Sequence, residues 1–155
     1  MISRRTWLAR TGGVALLALA GRRADAAALF AKPSIVVYKD PGCGCCNAWV
    51  DHLRASGFDV QAHDVSDMDE RKALMGVPAA LRSCHTGQTG AYVIEGHVPA
   101  ADIRRALAER PQILGLAVPG MPMSAPGMAQ PGAKKVPYDV IAWGKGGSGR
   151  VYARY

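Results

Sequence analysis

The stretch Cys43-Gly44-Cys45-Cys46 sits between a short β-branched run and a helix-periodic segment, and that placement constrains the fold more than any other feature. Ser34-Ile35-Val36-Val37-Tyr38 reads as a buried strand. Asp40-Pro41-Gly42 is a turn signal. Cys46, Trp49, Val50 and Leu53 then recur at i, i+3, i+4 and i+7, one face of a helix that Gly57 ends. A cysteine at such a strand-to-helix junction meets free backbone N–H groups and the positive end of the helix dipole, both of which favour a thiolate. The thiolate is at once the nucleophile of redox chemistry and the ligand of soft metals.

The rest of the chain alternates in kind. Residues 58–65 predict a second strand. Ser66 followed by Asp69 and Glu70 predicts a helix start, with Gly76 as its stop. Met68 and Met75 fall on one face of that helix and read as core. Residues 91–95 predict a third strand, and Pro99 opens a helix whose inner face carries Ile103 and Leu107. Strands alternating with helices imply a mixed, mostly parallel sheet flanked by helices. With a C-x-x-C pair after the first strand, the expected fold is α/β and thioredoxin-like. Residues 115–137 hold Pro119, Pro122, Pro126, Pro131 and Pro137 together with Met121, Met123 and Met128, and predict a long Met/Pro/Gly-rich loop. Residues 138–143 and 150–155 predict two closing strands.

The first 26 residues read as an address. Ser3-Arg4-Arg5-Thr6-Trp7-Leu8 has the form of a twin-arginine export signal, an apolar run follows over residues 14–20, and Ala24-Asp25-Ala26 supplies small residues for cleavage. The run is too short to span a bilayer. The expected organisation is therefore a signal peptide over 1–26 and one domain over 27–155, delivered to the periplasm with no stable membrane insertion after cleavage. The whole chain carries 19 basic and 12 acidic side chains, but the first 26 residues hold five arginines and one aspartate. What remains is mildly basic, with no basic stripe interleaved with aromatics, which argues against a nucleic-acid partner.

Four cysteines in an oxidising compartment are expected to be paired, metal-bound or redox-active. Cys45, between Cys43 and Cys46, sits badly with simple dithiol exchange, where a third thiol traps mixed disulfides. Three sulfurs on one turn suit a soft ion, and bridging thiolates let few cysteines hold several Cu(I). Cys84-His85 precedes the third strand, on the side of the fold where the C-x-x-C turn is expected. The candidate metal ligands are thus Cys43, Cys45, Cys46, Cys84 and His85, with the thioethers of Met121 and Met123 as secondary candidates. Three alternatives compete. One is a pair of structural disulfides. The second is a zinc site. The third is a thiol–disulfide oxidoreductase in which Cys43 attacks and Cys46 resolves. His97 reads first as a hydrogen-bonding loop histidine, and His52 as solvated on the outer face of the first helix.

Several stretches together resemble one family. Tyr38-Lys39-Asp40-Pro41-Gly42-Cys43-Gly44-Cys45-Cys46, Leu81-Arg82-Ser83-Cys84-His85-Thr86, Glu95-Gly96-His97-Val98-Pro99-Ala100 and Leu116-Ala117-Val118-Pro119-Gly120-Met121-Pro122 look like the ordered motifs of the CopG-like periplasmic metal-binding proteins. These are distinct from the ribbon-helix-helix repressors of the same name. The likeness runs from about Ile35 to Tyr155. It implies a thioredoxin-like fold and a role in copper resistance. It also implies a cysteine-bridged centre of several copper ions on Cys43, Cys45, Cys46 and Cys84, with His85 beside it. Interconversion of Cu(I) and Cu(II), and exchange with other periplasmic copper-handling proteins, are what the resemblance further suggests.

Overall fold

The computed structural model describes residues 32–130, 132 and 134–155. The proposed signal peptide over 1–26 lies outside the described residues. Strand β1 (Ser34–Lys39) buries Ile35 and Val37 on one side of the pleat. The Asp40 carbonyl accepts from Cys43 N at 3.2 Å, which closes the turn into helix α1 (Gly44–Ala55). The buried face of α1 is Cys46, Trp49, Val50 and Leu53, the set its periodicity predicts. Burial of its three large apolar side chains contributes roughly 1.5–3 kcal/mol each. Gly57 ends the helix with φ +82°, a conformation that costs glycine little.

Strand β2 (Asp59–Asp64) pairs parallel to β1 at the sheet edge and is largely exposed. A short helix α2 (Met68–Leu74) has Asp69 and Glu70 in its first turn, where the dipole favours them. Strands β3 (His85–Thr89) and β4 (Tyr92–Gly96) form an antiparallel hairpin through Gly90. Helix α3 (Ala100–Glu109) follows Pro99. Strand β5 (Gly115–Val118) runs parallel to β4, and β6 (Asp139–Trp143) and β7 (Gly149–Arg154) close the sheet. The order is β2-β1-β3-β4-β5-β6-β7.

Two expectations need correction. The sheet is mostly antiparallel: β1–β2 and β4–β5 are parallel, and the other four pairings are antiparallel. Two of those four involve β3, whose sequence His-Thr-Gly-Gln-Thr has no apolar alternation yet lies centrally between β1 and β4. Gly87 makes that possible, since a Cβ there would stand 2.9 Å from Ile35 Cδ1. The loop expected over 115–137 also begins later, because residues 115–118 are the fully buried β5. A Cβ at Gly115 would fall 2.1 Å from the Val93 carbonyl oxygen and 2.3 Å from the Trp143 ring, so β5 accepts only glycine at that point.

The sheet separates two apolar layers. Trp49, Val50 and Leu53 of α1 and Ile103 and Ala106 of α3 pack with Ile35, Val37, Ile94 and Leu116. On the opposite face Val77, Ala117 and Trp143 form a smaller cluster, with Met75, Leu81 and Val93 against it. Met68 is buried as expected. His52 is not simply solvated: its Nε2 accepts from Ala100 N at 3.2 Å, at the start of α3. Among the described residues no helix is long and apolar enough to cross a membrane.

Candidate metal centre

The centre lies where the β1–α1 junction meets the start of β3 and the end of β4. Cys43 is the residue before α1, and its side chain makes no capping hydrogen bond. Cys43 and Cys46 are joined by a disulfide across a Cα–Cα distance of 5.3 Å. Cys45 and Cys84 are free thiols. Cys45 Sγ lies 3.5 Å from Cys43 Sγ and 3.9 Å from Cys84 Sγ. All four sulfurs fall within 4.8 Å of one another.

Cys84 belongs to a second group as well. Its Sγ is 3.3 Å from His85 Nδ1 and 3.2 Å from His97 Nε2. The three ligand atoms of Cys84, His85 and His97 lie within 4.8 Å of one another. Cys84 is thus the junction between a sulfur cluster and an imidazole pair. His97 is fully buried rather than a surface loop histidine. Its burial was legible in part, since buried Ile94 and Val98 bracket it, but a lone histidine carries no partner information.

Burial sets the protonation of these groups, keeping the Cys84 thiol protonated and the two imidazoles neutral. Burial above all, then the neighbouring Cys45, push the Cys84 thiol up to about 12. Burial drives the His85 imidazole well below its usual range, with His97 and the Lys72 cation adding to the effect. Burial lowers His97 too, against the bond to Pro126. Both imidazoles are therefore neutral at pH 7. His97 Nδ1 lies 2.8 Å from the Pro126 carbonyl oxygen and donates to it, which leaves the Nε2 lone pair facing Cys84. His85 Nε2 is buried and meets no hydrogen-bond partner of good geometry among the described residues. Trp49 packs its ring 4.3 Å from that of His85 and is held by a bond from its Nε1 to the Val98 carbonyl oxygen at 2.9 Å.

Two close approaches hold this arrangement. At Gly96 (φ +68°) a Cβ would stand 2.7 Å from Ser83 Cβ and 2.8 Å from the Val118 oxygen, so glycine lets the segment before Cys84 reach the end of β4. At Gly127 (φ +81°) a Cβ would stand 2.6 Å from Trp49 N and 3.0 Å from the Cys45 oxygen, so the Met-rich loop lies against the first turn of α1. Ala125 of that loop is fully buried and Met128 packs on the main core. Met121 and Met123 are 43% and 41% exposed, and Met121 adopts a left-handed φ of +48°.

Once the Cys43–Cys46 disulfide is reduced, the donor set is three thiols on one turn and a fourth sulfur shared with two neutral imidazoles, with no carboxylate in either group. That chemistry fits a soft ion such as Cu(I) and disfavours hard oxygen-seeking cations.

Known proteins agree with the geometry. The family described as "Protein of unknown function, DUF411" matches residues 81–128, the segment from the Cys84 approach to Met128 within the Met-rich loop. No curated protein sequence matches the chain. A solved structure named "Copper resistance protein copG- Form 2" is 44% identical, covers 81% of this chain and 99% of that one, and superposes with a TM-score of 0.76. Another, "Copper resistance protein copG- Form 1", gives 44% identity, 81% and 98% coverage, and a TM-score of 0.75. Identity at that level over nearly the whole of those chains, together with the shared fold, places this protein in the CopG copper resistance family.

Proposed function

We propose that this chain is a periplasmic copper-binding protein of copper resistance, with copper as its cargo. Several ions are held in a cysteine-bridged centre on Cys43, Cys45, Cys46 and Cys84, with His85 and His97 beside them. The carrying observation is that Cys84 Sγ stands within reach of both Cys45 Sγ and two neutral imidazoles. Reduction of the Cys43–Cys46 disulfide by two electrons frees two further thiols. Metal uptake then displaces the thiol protons, Cys84's above all, since its high pKa keeps it protonated until an ion arrives. Met121 and Met123 offer oxidation-resistant thioethers at the loop surface, suited to passing Cu(I) to or from other copper-handling proteins.

The finer part of the reading is redox. Two thiols at Cys43 and Cys46 reduce two Cu(II) to two Cu(I), the S–S bond forms, and two protons leave. A dithiol donor restores the pair. The C-x-x-C turn between β1 and α1 supports a thioredoxin-like placement of this pair. Export to the periplasm rests on the Arg4-Arg5 signal and the cleavage site ending at Ala26.

The disulfide at that turn also favours a second reading, thiol–disulfide exchange on protein substrates. Cys45→Ser separates the two. Exchange by Cys43 and Cys46 needs no third thiol and should persist in the variant. Copper per chain, measured after anaerobic reduction, should fall if Cys45 bridges ions. Wild-type loading with exchange activity intact would favour the oxidoreductase.

A further inference from the structure

Behind the centre, on the opposite face of the sheet, lies a closed set of polar side chains. Glu95 on β4 is fully buried, Thr86 on β3 is fully buried, and Lys72 on α2 is 3% exposed. Lys72 Nζ donates to Glu95 Oε1 at 2.6 Å and to Thr86 Oγ1 at 2.8 Å. Thr86 Oγ1 donates to Glu95 Oε2 at 2.6 Å. The Ser83 backbone N–H donates to Glu95 Oε1 at 2.5 Å. Thr86 and Glu95 are direct cross-strand partners.

A buried ion pair is weak evidence for stability, because apolar side chains of similar volume often do as well or better. What apolar side chains cannot supply is direction. One carboxylate grips the residue before Cys84 and the residue after His85, and it sits two positions before His97, which follows the end of its strand. We propose that Glu95, with Lys72 as its counter-ion, is the positioning residue of the metal centre. It fixes the backbone that presents Cys84, His85 and His97 as one preformed group. The inference rests on the copper reading above. Glu95 touches no ion itself. It holds the frame from which the three ligands hang, and loss of such outer partners costs metal affinity about 10–100-fold in comparable sites.

The test uses the full mature chain and Cu(I) itself, delivered from a chromophoric chelator that reports competition. The Lys72→Met/Glu95→Met double variant removes both charges and the two oxygens that accept from Ser83 N and Thr86 Oγ1, so no unpaired ion is left buried. Thr86→Val removes a single donor and keeps the side chain's shape. The expected result is a 10–100-fold loss of Cu(I) affinity in the double variant and a smaller loss in Thr86→Val. The nitrogen contribution in X-ray absorption should shrink, and thermal unfolding should stay near that of the wild type. Wild-type affinity and nitrogen signature in a folded double variant would overturn the proposal. If the double variant fails to fold, wild-type binding by Thr86→Val overturns it instead. A wild-type chain that takes up no copper would overturn the copper reading and this proposal with it, a result distinct from any ratio between variant and wild type.

Discussion

Gly127→Ala should lift the Met-rich loop from the first turn of α1. Two costs add. An alanine at φ +81° sits in the left-handed region, at ~1–2 kcal/mol. Its Cβ would also stand 2.6 Å from Trp49 N and 2.9 Å from Trp49 Cα, backbone atoms inside a helix that cannot rotate aside. Overpacking of that kind costs about 1–3 kcal/mol. Gly120→Ala is the matched control, since Gly120 has φ +74° and a Cβ added there would meet nothing within 4 Å. It should carry the backbone cost alone. The surplus in Gly127→Ala is released by local opening rather than global unfolding, so limited proteolysis across residues 119–137 reads it directly. A surplus of about 1–3 kcal/mol predicts cutting about 5–150-fold faster than in Gly120→Ala. Copper affinity should fall in parallel, because the opened loop withdraws the Pro126 carbonyl that orients His97. Equal cutting rates in the two variants would refute the close-approach argument.

Other consequences are open to direct measurement. Replacing Arg4 and Arg5 with Lys should leave the precursor in the cytoplasm, and normal periplasmic accumulation in cell fractionation would contradict the export signal. Tyr155 donates to Asp102 Oδ2 at 2.7 Å, and burial first, then Asp102, hold its hydroxyl above the usual tyrosine range. Its stabilising contribution is complete below the unfolded value of ~10 and is lost as pH rises through the higher folded value. Urea midpoints of Tyr155→Phe should therefore fall less steeply than wild type above pH ~10, and an unchanged alkaline slope would count against the bond.

How far the sequence reveals the fold depends on the kind of signal each element carries. Helix α1 is legible because Cys46, Trp49, Val50 and Leu53 repeat at the helical period and are the residues it buries. Strand β3 is not, because its burial is achieved by polar pairing. Thr86 meets Glu95 and Lys72, and Gly87 yields space to Ile35, so no apolar period marks it. Missing that strand turns an antiparallel hairpin into an apparent loop and makes the sheet look mostly parallel. At the site, the spacing of Cys43, Cys45 and Cys46 is written in the chain, and the second motif points to Cys84 and His85. His97 joins them through a left-handed Gly96 that lets two segments touch. A close approach between distant segments leaves only a glycine in the sequence, and glycines have many uses. Lys72 and Glu95 are hidden for the same reason, since charged residues on a short helix and a strand read as surface until their partners are known.

Copper loading of the anaerobically reduced mature chain beside its Cys84→Ser variant tests the central claim most directly, because Cys84 joins the sulfur cluster to the imidazole pair. Serine keeps the size of the side chain and is a poor soft-metal ligand. The account predicts more than one copper per wild-type chain, a clear drop in the variant, and loss of the sulfur and nitrogen scattering that Cys84, His85 and His97 contribute together. Wild-type copper content in Cys84→Ser, with unchanged X-ray absorption, would contradict it.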